Sequence, residues 1–265
     1  MRNFIILFFA ALLVYSCIPN KRVTLLQKDD ITKTNVALDS IVRKYPMMKF
    51  EYRIQPYDVL NLRFGSLTDE RFDFLNKMQE DNGVGGGGGG GQGAGYVING
   101  FLVDPEGNIS FPVVGKVKVG GLTVFEIQEK LQTLANQYLE STSVRVRLVN
   151  FRFTVLGEVN AEGTTIAFQP RVTLLEALRL AGGLGDLADR SKVKIVRAHE
   201  GQVQVSYINL LDENFINSPY YFLNQNDIII VPALKQRQFR KYFGQNLSLI
   251  VGTITLILVA INLTK

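Results

Sequence analysis

The sequence contains few of the side chains that catalytic and metal sites use. Its 265 residues include a single cysteine, Cys17, and a single histidine, His199. A lone cysteine cannot form an internal disulfide, and with one histidine it falls short of the ligand sets that hold zinc. Carboxylates such as Asp58 lie in turn sequences, where backbone capping explains them, and no nucleophile elbow surrounds a serine. We therefore predict no catalytic residue, no metal and no cofactor.

The chain also has only a small excess of charge of one sign. The chain has 29 basic and 24 acidic residues, which give a formal net charge of +5 at pH 7. Such a modest charge on a chain that mixes both signs gives no case for binding nucleic acid. With 46% hydrophobic residues, the chain can build one or two small globular domains and still supply membrane segments.

A glycine-rich stretch interrupts the first half of the chain. Ten of the thirteen residues 83–95 are glycine. A phosphate-binding loop would follow a strand and continue into Lys-Ser or Lys-Thr, and this stretch does neither. Because glycine cannot bury apolar area to offset the entropy lost on ordering, we predict a mobile loop over residues 81–96.

The start of the chain has the features of a secretory signal. Arg2 precedes an apolar run, residues 4–14, which is too short to span a bilayer as a permanent helix. The following Val14-Tyr15-Ser16-Cys17 is similar to the lipobox of bacterial lipoproteins, although Tyr15 stands where a small residue is usual. We predict a signal peptide over residues 1–16 and lipidation of Cys17. A signal anchor with an incidental cysteine is the alternative.

The residues after the cysteine bear on its destination. Ile18 stands where enteric lipoproteins that stay in the inner membrane usually carry Asp, so the expected destination is the outer membrane. Residues 17–45 are polar, with hydrophobic residues too sparse for a core. We predict that they form a lipid-anchored tether.

The end of the chain is long and apolar enough to cross a membrane. Residues 243–264 carry no charge, and at the rise of an α-helix they cover about 33 Å. Small and polar residues recur along one predicted helix face: Gln245, Ser248, Gly252, Thr255 and Asn262. Such a face meets other helices or water, so a ring of pore-lining helices is one interpretation. A single-span anchor with tolerated polar residues is the other.

A basic segment precedes this predicted helix. Residues 235–241 carry four positive charges and no negative charge. If the helix crossed the inner membrane after a translocated domain, these charges would lie outside, against the positive-inside rule. The charge pattern therefore favours the outer membrane. We predict a basic juxtamembrane segment and a membrane helix over residues 234–265.

Two folded units are predicted between the ends. Residues 46–150 contain strand-like runs and a helix that starts at the capping box of Thr123 and Glu126. Residues 151–233 contain several strands and one short helix, opened by Thr173 and Glu176, which fits a β-grasp-like unit. The predicted fold class is α+β.

An ordered series of motifs resembles the bacterial polysaccharide biosynthesis/export family. The opening motif of the family's export domain is matched by five residues, to which we assign a structural role: Tyr52, Ile54, Pro56, Asp58 and Leu60. Further similarity extends over residues 103–126. Similarity to the family's soluble-ligand-binding (SLBB) β-grasp module is found in residues 155–159, 173–183 and 226–232. The long glycine loop is not part of the family pattern.

The resemblance implies an architecture and a function. It implies a small β-rich export domain, one β-grasp domain and a C-terminal transmembrane helix, in a lipoprotein that assembles with itself into a ring. Such a ring would export capsular or extracellular polysaccharide from the periplasm across the outer membrane, together with an inner-membrane synthesis or export protein. The alternative is a membrane-tethered periplasmic adaptor that binds glycan or a partner protein without forming a pore.

Overall fold

The computed structural model describes most of both predicted units and short parts of the two ends. The described residues are 20–28, 43–46, 49–66, 84–85, 97–111, 114–138, 142–167, 169–199, 201–239, 251–253 and 255–256. The predicted signal peptide and most of the glycine-rich loop lie outside these residues. The fold is a mixed α+β structure with several sheets and few helices, which confirms the predicted class.

In its described residues, the first unit consists of short sheets and one helix. Its elements are β1 (Val59–Ser66), β2 (Val84–Gly85), β3 (Val97–Ile98), β4 (Phe101–Leu102), β5 (Asn108–Phe111), β6 (Gly115–Lys118), α1 (Val124–Tyr138) and β7 (Thr142–Leu148). β1 lies between β4 and β7 in an antiparallel sheet, and β5 pairs with β6. β2, within the predicted glycine-rich loop, pairs antiparallel with β3, which directly follows that loop.

Helix α1 forms where the sequence predicts it. The Glu126 amide donates to Thr123 Oγ1 at 3.2 Å, and the Thr123 amide donates to Glu126 Oε2 at 2.7 Å, so the capping box is present. The helix buries Ile127, Leu131 and Ala135 and packs on β7. It thereby covers one face of the small sheet.

The second unit is built on a five-stranded sheet. Its elements are β8 (Phe151–Gly157), β9 (Gly163–Ala167), α2 (Leu174–Leu180), β10 (Val193–His199), β11 (Gln202–Ile208), a 3-10 turn (Glu213–Asn217), β12 (Ile228–Val231) and α3 (Gln236–Phe239). The strand order is β11-β10-β12-β8-β9. The first and last strands, β8 and β12, lie side by side and parallel, while the other pairs are antiparallel. This is the order of a β-grasp-like sheet.

Helix α2 covers one face of this sheet. Thr173 and Glu176 form the predicted capping box at its start. Its buried side chains are Leu174, Ala177 and Leu178, and they join the core that the inward-facing side chains of the sheet form.

The described part of the predicted tether lies along the second unit. The Leu26 amide donates to the Leu210 carbonyl at 3.0 Å, and the Glu213 amide donates to the Gln27 carbonyl at 3.0 Å. Arg43 Nε donates to Glu213 Oε1 at 2.9 Å. Residues 20–28 are therefore docked by backbone pairing, which their sparse hydrophobic pattern did not indicate.

Aromatic contacts join the two units. The Phe50 and Phe222 rings stack with centroids 4.8 Å apart, and Tyr52 meets Phe151 edge-on at 5.6 Å. Asn150, between the units, accepts from the Val59 amide at 2.8 Å and donates to the Tyr57 carbonyl at 3.0 Å. The buried side chains of the two units form one continuous hydrophobic cluster.

Two turns of the same geometry start the strands β1 and β12. In the first, the Gln55 amide donates to Asp58 Oδ2 at 2.9 Å, and Tyr57 has a left-handed φ of 72°. In the second, the Asn224 amide donates to Asp227 Oδ2 at 2.8 Å. The left-handed residue there is Asn226, with φ 63°; asparagine adopts this conformation more readily than most residues.

The two aspartates are buried with different partners. Asp227 is fully buried and forms a bidentate pair with Arg197, at 3.0 and 2.7 Å. Asp58 is 1% exposed and accepts from the Tyr52 hydroxyl at 2.8 Å, and its Oδ1 has no hydrogen-bond partner among the described residues. No cation thus offsets the burial of Asp58.

We expect Asp58→Asn to remove a pH dependence from the stability of the chain. Burial raises the pKa of the Asp58 carboxyl from 3.8 to about 6. Between these values the folded chain holds a proton that the unfolded chain releases, so the free energy of unfolding falls as the pH rises through this window. The loss is about 2–3 kcal/mol. Urea unfolding of both full chains at about pH 4 and about pH 7, followed by circular dichroism, measures it.

Asp104→Asn is the matched control, because the pKa of Asp104 shifts the other way. The Asn108 amide donates to Asp104 Oδ1 at 2.7 Å and lowers the pKa of that carboxyl. Its stabilisation is present at neutral pH and is lost on acidification, so this variant should change the pH dependence in the opposite direction. The same pH dependence in the wild type and in Asp58→Asn would contradict our account of the buried carboxyl.

Candidate functional site

The residues of the export motif come together inside the first unit. Tyr52, Ile54, Asp58 and Leu60 are buried, and Pro56 lies exposed in the turn between them. The Ile54 amide donates to the Leu122 carbonyl at 2.9 Å. These side chains hold the turn and the start of β1, and the buried ones have little surface left to offer a ligand.

The predicted membrane stripe is described only in part. Gly252 and Thr255 lie in exposed helical residues, and Thr255 Oγ1 donates to the Val251 carbonyl at 2.8 Å. Among the residues that the structure describes, no helix is both long and apolar enough to span a membrane. The remaining predicted site residues lie outside the described residues: Cys17, Gln245, Ser248 and Asn262.

The buried carboxylate of the second unit, Asp227, is paired with Arg197. Arg197 donates to Asp227 and also to the Phe222 carbonyl at 3.2 Å, and its guanidinium lies 5.1 Å from the centroid of the Tyr220 ring. Burial raises the pKa of Asp227, and the hydrogen bonds from Arg197 oppose that rise. Within the described ranges, no group of three or more His, Cys, Asp or Glu side chains could hold a metal ion. The pair therefore supports the fold.

The most unusual surface of the described chain is the sheet face opposite α2. On β11, Val203, Val205 and Tyr207 are exposed by 69%, 53% and 67%. Val205 pairs with Val196 of β10, which pairs in turn with Ile228 of β12, so one face carries all of them. The larger apolar members of this face, called here the bare face, are Leu156, Ile166, Val196, Val203, Val205, Tyr207, Ile228 and Ile230. The same register places Arg152, Thr154, Thr164 and Lys194 among them, and Lys194 Nζ lies 5.5 Å from the centroid of the Tyr207 ring.

The bare face is a candidate interaction surface. Exposed apolar side chains clustered on one sheet face mark contacts with proteins or membranes. It ends at β11, an edge strand that pairs on one side only, and such a strand offers unpaired backbone groups to a partner.

Sequence reasoning did not identify the bare face, although its signal is present. Residues 202–207 alternate polar and apolar side chains, which predicts a strand with one apolar face. Alternation cannot tell which face meets the core. Here the inward side of the sheet is already filled by side chains such as Phe153, Ile195 and Ile229, so the apolar side of β11 is left outside.

Comparison with known proteins agrees with the order of the two units. Residues 48–149 match the family described as polysaccharide biosynthesis/export protein, and residues 151–231 match the SLBB domain. Asn150 lies between the two matches; its side chain bonds to Val59 and Tyr57 of the first unit, and its carbonyl accepts from Gln225 Nε2 of the second unit at 3.0 Å.

Two curated relatives share part of the chain. An EPS I polysaccharide export outer membrane protein, EpsA, of Ralstonia nicotianae is 29% identical over 150 residues, 55% of this chain and 38% of the relative. EpsA of Ralstonia solanacearum is 29% identical over 138 residues, 51% of this chain and 36% of the relative. The chain thus spans less than two fifths of the length of these relatives. With both domains matched in order, the chain belongs to the polysaccharide biosynthesis/export family.

Proposed function

We propose that this protein is an outer-membrane lipoprotein whose copies form a channel that exports capsular or extracellular polysaccharide from the periplasm to the cell surface. Family membership and the names of the relatives support a role in export and an outer-membrane location. The observation that carries the assembly is the bare face, because a monomer would leave it in water.

The physical task of such a channel is to remove a solvation barrier. Moving a hydroxyl-rich glycan through hydrocarbon costs several kcal/mol for each unsatisfied polar group, so a continuous polar path is required. In our proposal, the acyl chain on Cys17 fixes each copy, the described domains lie in the periplasm, and the C-terminal helices surround the path. Their stripe of small and polar residues faces the lumen. The chain needs no chemistry of its own, because an inner-membrane synthesis or export protein supplies the energy.

The bare face supports a contact between copies. In a ring, each copy contributes two different surfaces, so the bare face of one copy packs against another surface of its neighbour. A stable contact of this kind buries about 800 Å² on each partner. The eight larger apolar side chains of the bare face suit the centre of such an interface, and Lys194, Thr154 and Thr164 among them supply polar contacts.

Val205→Lys should dissociate the assembly. Val205 lies in the bare face and is 53% exposed, so lysine is tolerated in the monomer but would place an ammonium in a dry interface, at a cost of several kcal/mol. Light scattering of the full chain in mild detergent should give a mass several times 29.7 kDa for the wild type. The variant should approach the mass of one chain with an unchanged circular dichroism spectrum.

Phe125→Lys is the control for this experiment, since Phe125 lies in α1 of the first unit and is 79% exposed. It adds the same charge at an exposed apolar residue away from the bare face and should leave the assembly intact. Wild-type mass in both variants would show that the bare face is not the interface. A wild-type chain that is itself monomeric would favour the adaptor without a pore.

Bulky substitutions on the stripe should impair export. Gly252→Leu and Thr255→Leu each add volume on the face that we place toward the lumen, so surface polysaccharide should fall while the protein remains folded in the envelope. Thr253→Leu is the matched control. At about 100° per residue, Thr253 lies about 100° from Gly252 and about 200° from Thr255 around the helix, away from the stripe. Quantifying surface polysaccharide in cells decides the point. Normal export in both stripe variants would count against a helix-lined path.

A further inference from the structure

An open cleft of about 940 Å³ lies where three segments of the chain meet. It is lined by residues 21–28 of the N-terminal segment, by loop residues of the second unit and by residues 234–236 at the start of α3. Five basic side chains line it against two acidic ones: Lys21, Arg22, Lys28, Lys192 and Lys235 against Asp189 and Asp212. The cleft, called here the basic cleft, therefore has an excess of positive charge.

The two carboxylates do not neutralise these cations by ion pairing. Asp189 Oδ1 accepts from the Ser191 amide at 3.1 Å and from the Ser191 hydroxyl at 2.5 Å. Asp212 Oδ1 accepts from the Asn214 amide at 2.9 Å. Both carboxylates thus cap local turns.

Most of the basic side chains keep their hydrogen-bonding capacity. Lys28 Nζ lies 3.4 Å from the Tyr45 hydroxyl. Within the described part of the chain, the other four, Lys21, Arg22, Lys192 and Lys235, form no ion pair. Unpaired cations that converge on one concave surface suit an anionic ligand.

Both ends of the chain that we propose to enter the membrane leave from this cleft. Asn20 follows Cys17 by three residues, so the acylated sulfur lies within about 10 Å of it along the chain. Lys235 precedes the predicted membrane helix at residue 243 by eight residues, about 12 Å if they are helical and about 28 Å if extended. Two short connections therefore hold the cleft close to the membrane surface.

We propose that the basic cleft binds the phosphate of an anionic phospholipid headgroup, an inference that rests on the two membrane attachments of the proposed function. Lysine ammonium groups act as point charges for phosphate, and the guanidinium of Arg22 adds a planar donor. The side-chain amides of Asn209 and Asn214 also line the cleft and suit the glycerol hydroxyls, whereas the Gln27 side-chain nitrogen donates to the Lys21 and Thr24 carbonyls. The two attachments keep headgroups at a high effective concentration beside the cleft, whereas nothing comparable holds an acidic glycan there.

Titration of the full chain in neutral detergent tests this proposal. Short-chain phosphatidylglycerol should bind, and phosphatidylcholine of the same chain length should not, because the lysines repel its choline cation. Lys192→Gln together with Lys235→Gln should weaken phosphatidylglycerol binding about 25-fold, or about fivefold for each lysine removed. Added salt should weaken the wild-type complex further. Native mass spectrometry or calorimetry measures each affinity.

Lys49→Gln with Lys130→Gln is the charge-matched control and should leave the affinity unchanged. Equal binding of the two lipids, or equal loss in the control, would overturn the proposal. Inorganic phosphate that binds as tightly as the lipid would overturn the headgroup in favour of a free anion. Tighter binding of an acidic oligosaccharide such as oligogalacturonate would overturn it in favour of a glycan site.

The outcome is independent of the channel. The titration reads lipid binding whether or not the copies assemble or export polysaccharide. Loss of lipid selectivity in a chain that still exports would remove only this inference. A monomeric chain that binds phosphatidylglycerol selectively would remove the channel and keep the cleft.

Discussion

The packing of the second unit depends on a sheet that carries apolar side chains on both faces and that, among the described residues, is covered by a helix on only one of them. Helix α2 closes the inner face with three buried side chains, and those residues complete the core with the inward side chains of β8, β10 and β12. Among the described residues, no element covers the side chains of Val203, Val205 and Tyr207, which remain exposed. The free energy gained by removing this area from water is therefore available to another molecule. The proposed assembly of copies therefore rests on this exposed face of the sheet.

The two aspartate turns position this sheet and join it to the first unit. Asp227 sets the start of β12, the central strand that pairs with β8 and β10, and Arg197 of β10 neutralises it. Asp58 sets the start of β1 in the same way, but its partner is the hydroxyl of Tyr52, whose ring packs on Phe151 of β8. The buried aspartate of the one turn is thus paired with a charged side chain. The aspartate of the other turn accepts a hydrogen bond from a tyrosine that lies in the contact between the units.

Local signals predicted what local interactions build. The capping boxes at Thr123 and Thr173 located the starts of both main helices, and the apolar spacing of Ile127 and Leu131 located the buried face of α1. The pairing of Leu26 with Leu210 could not be predicted, because it joins residues far apart in the chain through backbone groups that carry no sequence signal. The same holds for the basic cleft, since Lys21, Lys192 and Lys235 come together only through the fold. The outward face of β11 was missed for a different reason. An alternating pattern shows that a strand has a polar and an apolar side, but it does not show which side packs on the core.

An image of the full chain extracted in mild detergent tests the central claim most directly. The account predicts a closed ring with a central opening, in which the bare face of each copy is buried against its neighbour. A single subunit would contradict it, as would a ring in which the side chains of Val203, Val205 and Tyr207 still meet solvent.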